Sequence, residues 1–344
     1  MFRRLRYLVL ALALVLSGCA GVPKASAQIK YQATYLDLFD TVTYVVGYAE
    51  SEEAFHGRAQ EIHDEMLRYH QLFDIYHEYE GMNNLKTVND MAGQEPVQVE
   101  KEIIALLKDC KEFYEATGGR VNVAMGSVLS LWHEARNDGI NDPVNAYLPE
   151  EEELKEAAKH MDMDGLIIDE EASTVFLSDP DMRLDVGAVA KGWSVQRVAE
   201  SVQEGMLLSV GGNVCATGPK AADGTPWVVG IRKPGEAEDV YLHTVYVSEG
   251  CVVTSGDYQR TYAVDGKSYH HIIDPDTLYP SEYWTSVTVV CEDSGIADAL
   301  STALFLLDME AGQKLLDRYG AKALWVDPEG EIFYSPGFEK LIRT

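Results

Sequence analysis

Tyr262-Ala263-Val264-Asp265-Gly266-Lys267-Ser268-Tyr269 places an Asp-Gly pair between two short alternating segments. Asp-Gly suits the left-handed backbone of a two-residue type I′ turn, so the stretch reads as an antiparallel hairpin. Working outward, residues 323–326 and 331–334 flank Asp327-Pro328-Glu329-Gly330 as a second hairpin, and 206–210, 227–231, 240–247 and 286–291 have strand composition. The first half differs. After a strand at 41–46, Phe55, Ala59, Ile62, Met66, Tyr69 and Phe73 step by four and three, the period of an amphipathic helix. Further helices are expected at 100–116 (stopped by Gly118-Gly119), about 126–136, from Pro149 onward, about 189–203 and about 296–308, with strand pieces at 166–168 and 174–177. Helices and strands in mixed order, without regular βαβ alternation, point to an α+β fold. No linker-like stretch interrupts residues 31–344, which are treated as one functional unit.

The first residues are an address. Arg3, Arg4 and Arg6 precede an apolar run from Leu8 to Leu16, which is shorter than the roughly 20 residues a membrane span needs and fits a secretory signal. Its ending, Leu16-Ser17-Gly18-Cys19, resembles a bacterial lipobox, so residues 1–18 are expected to be removed and Cys19 acylated; the plainer alternative is an ordinary cleaved signal. Residues 19–30 then form a lipidated cysteine and tether. The expected location is outside the cytoplasm on a lipid anchor.

Acidic residues outnumber basic ones 56 to 28 in the 344-residue chain, a formal charge of −28 that argues against nucleic acid or an anionic lipid surface as ligand. A phosphorylated small molecule stays possible, because one bound cation can invert the sign of a pocket. Cys110, Cys215, Cys251 and Cys291 form no Cys-x-x-Cys pair and read as buried free thiols rather than a zinc site. His56, His63, His70 and His77 recur every seven residues, but two helical turns separate neighbours by roughly 10 Å, too far to share one ion. They read as polar-edge residues of the first helix.

Five other segments carry oxygen, glycine or imidazole where chemistry could use them. In Ala297-Asp298-Ala299-Leu300-Ser301-Thr302, Asp298 and Thr302 stand four apart on one helix face and offer the hard oxygen ligands of Mg2+; the alternative is a first-turn Asp and a back-bonded Thr. Leu184 to Gly192 runs from a loop into a helix start whose N–H groups suit phosphate, with Lys191 as counter-charge. Val210-Gly211-Gly212-Asn213 allows close backbone approach to a ligand, or is an ordinary turn. Thr254 to Tyr258 and His270 to Pro275 bracket the hairpin, which could bring a candidate general base toward hydroxyl and acidic groups.

Together and in this order, these segments resemble the FAD:protein FMN transferase (ApbE) family, with Trp227 to Pro234, Phe39-Asp40-Thr41 and Phe73-Asp74-Ile75-Tyr76 adding to the match over residues 35–340. The resemblance implies an ApbE-like fold of two intertwined lobes with the flavin site between them. It implies that Phe39 and Tyr76 pack on the flavin, and that Asp185, Lys191 and Ile273 bind FAD. Arg120, Val121 and Asn122 stand where the family commonly has a Phe-Asp pair, a departure at the same contacts. Mg2+ would be held by Asp298, Thr302 and the carbonyl of Ala188, and His271 resembles the catalytic histidine, acting with Asp298. The implied reaction moves FMN from FAD to a Thr or Ser hydroxyl of an exported acceptor, such as a subunit of a membrane redox complex, and releases AMP. Two rivals remain at this stage: FAD pyrophosphatase activity, and a non-catalytic flavin-binding lipoprotein.

Overall fold

The computed structural model describes residues 28–221, 223–237, 240–258 and 260–343. The signal segment 1–18 and Cys19 lie outside the described residues. The organising element is an eight-stranded antiparallel sheet in the order Ile29–Leu38, Thr41–Ala49, Met206–Val210, Asn213–Ala216, Gly250–Gly256, Ser286–Cys291, Lys322–Val326 and Ile332–Tyr334. Strands from both halves of the chain share this sheet, since Thr41–Ala49 pairs with Met206–Val210, while the first and last strands form its two edges. The mixed helices and strands make the α+β fold expected from the sequence. The first strand starts at Ile29, two residues before the domain start expected at 31.

Both faces of the sheet are covered, which is why its central strands are apolar almost throughout rather than alternating. On one face lie the helices Glu52–Phe73, Ala190–Ser201 and Ser294–Phe305, sealed by Phe55, Ile62, Met66, Leu300, Leu304 and Phe305, all at most 2% exposed. On the other lies a two-stranded sheet, Trp227–Arg232 with Tyr241–Val247, whose Trp227, Val229, Ile231 and Val245 pack against Val252, Leu324 and Val326. The first helix begins where Ser51 Oγ accepts the Ala54 N–H, with Glu52 and Glu53 favoured in its first turn by the helix dipole.

The helix Lys101–Ala116 and a three-stranded sheet (Val97–Gln98, Thr174–Leu177, Leu166–Asp169) extend the core on the helix side of the large sheet, while the helix Gly126–Asn141 and the Tyr262–Val264/Lys267–Tyr269 hairpin pack together in a smaller core of their own. That hairpin turns at Asp265 and Gly266, with φ of 50° and 80°. Its Tyr262 ring packs where a Cβ on Gly139 would stand, 2.7 Å away, so the helix expected to stop at 136 continues to Asn141 against it. The late helix is also corrected. It runs Ser294–Phe305, started by Asp293 accepting the Ile296 N–H, and a separate helix, Met309–Tyr319, is capped by Asp308.

Candidate active site

A cleft of about 550 Å³ is lined by residues from both the main core and the smaller one. Phe39, Tyr76, Arg120, Val121, Asn122, Asp185, Ala188, Lys191, His271, Ile273, Asp298 and Thr302 all line it, though they come from one end of the chain to the other.

Asp298 sits on the late helix at 3% exposure. Its Oδ2 accepts the Gly192 N–H at 2.8 Å and lies 3.7 Å from Lys191 Nζ. The two helices can touch this closely because residue 192 has no side chain: a Cβ there would fall 2.3 Å from the Ser294 carbonyl oxygen and 2.4 Å from Asp298 Cβ. Gly192's N–H, one of those read as free for phosphate, is thus engaged by Asp298. The other carboxylate oxygen, Oδ1, has no hydrogen-bond partner among the described residues, and Thr302 and Ala188 line the same cleft. A carboxylate, a hydroxyl and a peptide carbonyl make an all-oxygen set that fits a hard divalent cation and leaves positions for phosphate and water. The residues present fit the ion.

Two adjacent histidines separate into different roles. His270 is structural: Nδ1 accepts the Ile272 N–H at 3.2 Å, Nε2 donates to the Ser281 carbonyl at 2.8 Å, and the ring sits edge-on to Phe305. Burial pushes its imidazole below the usual range. His271 faces the cleft, half-buried, beside Ile272 and Ile273.

The opposite wall is built from turns. Phe39 and Asp40 form the two-residue turn between the first two strands, with φ of 51° and 52°, a left-handed conformation unusual for Phe. His70 Nδ1 accepts the Phe39 N–H at 3.1 Å, and the two rings meet edge-on with centroids 5.4 Å apart. His70 is therefore a wall residue rather than a polar helix edge. The same reading is corrected at His63, which is buried between Asp37 and Asp64, and at His77, which lies beyond the helix end at Phe73. Asp74 organises the next turn. It accepts from the Tyr76 and His77 N–H groups and from the Tyr79 hydroxyl and His77 Nδ1. Burial alone would raise the Asp74 carboxyl, but these donors overcome it and hold it below its usual range.

That turn presents Tyr76, 55% exposed, with its hydroxyl end directed to His133. The hydroxyl lies 2.9 Å from His133 Nδ1, and His133 Nε2 is 4.0 Å from Asp185 Oδ2. Burial of that end, with the Asp185 charge adding, pushes the phenol to about 12. Burial also drives His133 below its usual range, against the pull of Asp185. Asp185 Oδ1 in turn accepts the Gly187 N–H at 2.8 Å and shapes the loop leading to Ala188.

Other expected contacts are more committed to the fold. Arg120 Nη1 pairs with Asp274 at 3.0 Å and Asp276 at 2.7 Å. The Asn122 amide donates to the Met161 carbonyl and accepts from the Ala124 N–H, and Val121 is 1% exposed. Gly211 and Gly212, at φ of 52° and 96°, make a tight strand turn, so the turn reading holds while Gly211 still reaches the cleft. Of the Thr254 to Tyr258 segment, Thr254, Ser255 and Gly256 line the cleft, while Tyr258 lies under the Arg232 guanidinium at 5.3 Å.

The sequence reading missed His70, His133, Arg232 and Arg260 on the walls, and the role of Asn213, 1% exposed, whose buried Nδ2 lacks a hydrogen-bond partner among the described residues. Arg232 lies within the Trp227 to Pro234 segment of the family resemblance, and nothing local marks Arg260. Asn213 was visible as the residue after the glycine pair. With Arg120 and Lys191, the arginines give the cleft four bases against four acids (Asp40, Asp74, Asp185, Asp298). In a chain with twice as many acids as bases, that local balance makes the cleft less repulsive to an anion than the chain as a whole.

The ApbE family model matches residues 29–325. The FAD:protein FMN transferase of Treponema pallidum (strain Nichols) is 35% identical over 278 residues, 76% of this chain and 75% of that protein. That of Klebsiella pneumoniae (strain 342) is 30% identical over 285 residues, 79% of this chain and 86% of that protein. The crystal structure of the ApbE protein from Thermotoga maritima is similar with a TM-score of 0.80 at 31% identity, covering 92% of this chain and all of that one.

Proposed function

The chain belongs to the ApbE family, and from that premise we propose that it transfers FMN from FAD to a threonine or serine hydroxyl of a partner protein. The observation that supports this most is the convergence of His271, the Asp298/Thr302/Ala188 oxygens and the cationic groups on one cleft.

Mg2+ held by Asp298, Thr302 and the Ala188 carbonyl would neutralise charge on the diphosphate oxygens and stabilise the departing AMP. Lys191 and Arg260 bring positive charge to the same cleft, and Gly192's N–H keeps the Asp298 carboxylate oriented. Phe39 and Tyr76 bound the ring-binding wall, the first locked by His70 and the second by Asp74 and His133. An imidazole nitrogen of His271 accepts the proton of the acceptor hydroxyl as that oxygen attacks the FMN-side phosphorus. The new O–P bond forms as the phosphoanhydride P–O bond breaks, and AMP leaves.

The Arg3-Arg4, Leu8 to Leu16 and Leu16-Ser17-Gly18-Cys19 series supports an exported protein anchored through lipid on Cys19. Such a tether would concentrate the enzyme near exported acceptor subunits of membrane redox complexes.

The decisive experiment incubates the purified protein with FAD, Mg2+ and a candidate acceptor and weighs the acceptor by mass spectrometry. A gain of one FMN with equimolar AMP is expected. AMP release at the same rate without acceptor, and no mass gain on any of several acceptors, would assign hydrolysis instead.

A further inference from the structure

Cys215, Cys251 and Cys291 stand side by side on three neighbouring strands of the central sheet: Cys251 is directly opposite Cys215 on one side and Cys291 on the other. The two pairings are not equivalent. In an antiparallel sheet a residue directs both its N–H and its C=O to the same neighbouring strand, and consecutive residues alternate. Thr254 N–H bonds to the Gly212 carbonyl, on the strand-turn side that carries Cys215. Counting back along the strand, Val252 faces that side too, and Cys251 directs its backbone bonds to the Cys291 strand. Cys215 and Cys251 are therefore a non-hydrogen-bonded pair, the type in which Cα atoms approach to about 4.5 Å and side chains lie closest. That separation falls within the span a disulfide bridges. The sulfurs agree: Sγ of Cys251 lies 2.7 Å from Sγ of Cys215, well inside the contact distance of two unbonded sulfurs.

We propose that Cys215 and Cys251 are a covalent modification site that closes to a cross-strand disulfide by exchange with a small disulfide such as oxidised glutathione. One cysteine thiolate attacks the glutathione disulfide, forming a mixed disulfide and expelling one glutathione thiolate. The second cysteine thiolate then attacks the protein sulfur of that bond and expels the other. Two protein thiols are oxidised, the carrier disulfide is reduced to two thiols, and the two protons leave with them.

The bond has a consequence for the cleft. It joins strand Asn213–Ala216, whose first residue lines the cleft, to strand Gly250–Gly256, which supplies Thr254, Ser255 and Gly256. The closed loop also contains the hairpin that covers the sheet's other face. A cross-link here fixes the two strands that carry one wall of the site. Both sulfurs are buried, and burial pushes the Cys251 thiol well above its usual range, so exchange proceeds only through local opening of these strands and accelerates toward alkaline pH as thiolate becomes available.

The test uses the full chain, incubated near pH 8.5 with oxidised glutathione or with dithiothreitol, then denatured, alkylated and digested without reduction. The Cys215 and Cys251 peptides are expected as one linked pair in the oxidised sample and as separate alkylated peptides in the reduced one. The oxidised form should unfold on the order of 5 °C higher, and Cys215→Val should remove that difference. Recovery of both peptides alkylated after prolonged oxidation overturns the proposal, as does a Cys251–Cys291 link. If Cys215→Val does not fold, the peptide map of the unaltered chain still decides. No FMN transfer is measured, so the outcome is independent of the function proposed above.

Discussion

The two walls of the cleft are built by opposite means. The Asp298 wall comes from the interiors of two regular helices in contact, Ala190–Ser201 and Ser294–Phe305, with the carboxylate almost fully buried and pinned by a backbone N–H. The Phe39/Tyr76 wall comes from turns, one with two residues in left-handed conformation and one held by four donors to Asp74, and it presents a half-exposed ring. Charge that must act on phosphate needs a dry, rigid mount, because electrostatic effects weaken with solvent access and misplacement. A planar aromatic ligand instead needs apolar surfaces that can close on it from two sides, which turns supply. The contrast predicts that damage on the helical wall costs rate and damage on the turn wall costs affinity.

The largest effect belongs to Asp298→Ala, which should lower transfer by about 10³-fold or more while far-UV circular dichroism stays unchanged. An undiminished rate in the folded variant would remove the helical wall from the chemistry. His271→Ala should follow with a loss of about 10²–10⁴-fold in kcat and little change in FAD binding measured by fluorescence titration; a change in binding alone would recast His271 as a contact residue. Gly192→Ala forces a methyl into the helix contact and should cost about 1–3 kcal/mol, read as a lower Tm together with slower transfer. If Tm and rate are both unmoved, the close helix contact is not what sets the position of Asp298.

On the turn wall, Tyr76→Ala should weaken FAD by roughly 5- to 100-fold through lost stacking of about 1–3 kcal/mol, seen in KM more than in kcat. Tyr76→Phe keeps the ring and gives up only the bond to His133, less than about 10-fold. Equal effects from the two would show that the hydroxyl, not the ring, matters. The smallest effect is with pH. Because the folded-state carboxyl of Asp74 lies below its unfolded value, its stabilising contribution is present above the ordinary carboxylate range and is lost as pH falls through the lowered value. Thermal melts of the protein should therefore lose stability more steeply on acidification than melts of Asp74→Asn; parallel curves would show that the carboxylate does not hold the turn.

Periodicity and turn chemistry were legible where a single element sufficed. The Phe55-to-Phe73 helix, the Asp265-Gly266 hairpin and the strands flanking residues 327–330 all form as read, because local spacing and backbone preference specify them. Helix ends were less legible. Leu306 is as apolar as the residues before it, so the break before Asp308 could not be seen from composition. The histidine series misled for a related reason: a seven-residue spacing suggests one helix face, but the helix stops at Phe73 and each histidine meets a different neighbour.

Sequence alone determined which residue types were available: an Asp and Thr one helical turn apart, paired glycines after a strand, an imidazole beside an Asp-Pro turn, and the motif order that identifies the family. It could not determine that Gly192 lets one helix seat the other's carboxylate, that His271 rather than His270 faces the cleft, or that Cys251 presents its sulfur to Cys215 across the closer of its two pairings. Those facts depend on contacts between segments tens to hundreds of residues apart. Local propensity acts over a few residues, whereas such contacts are selected only when the whole sheet and its helices pack together.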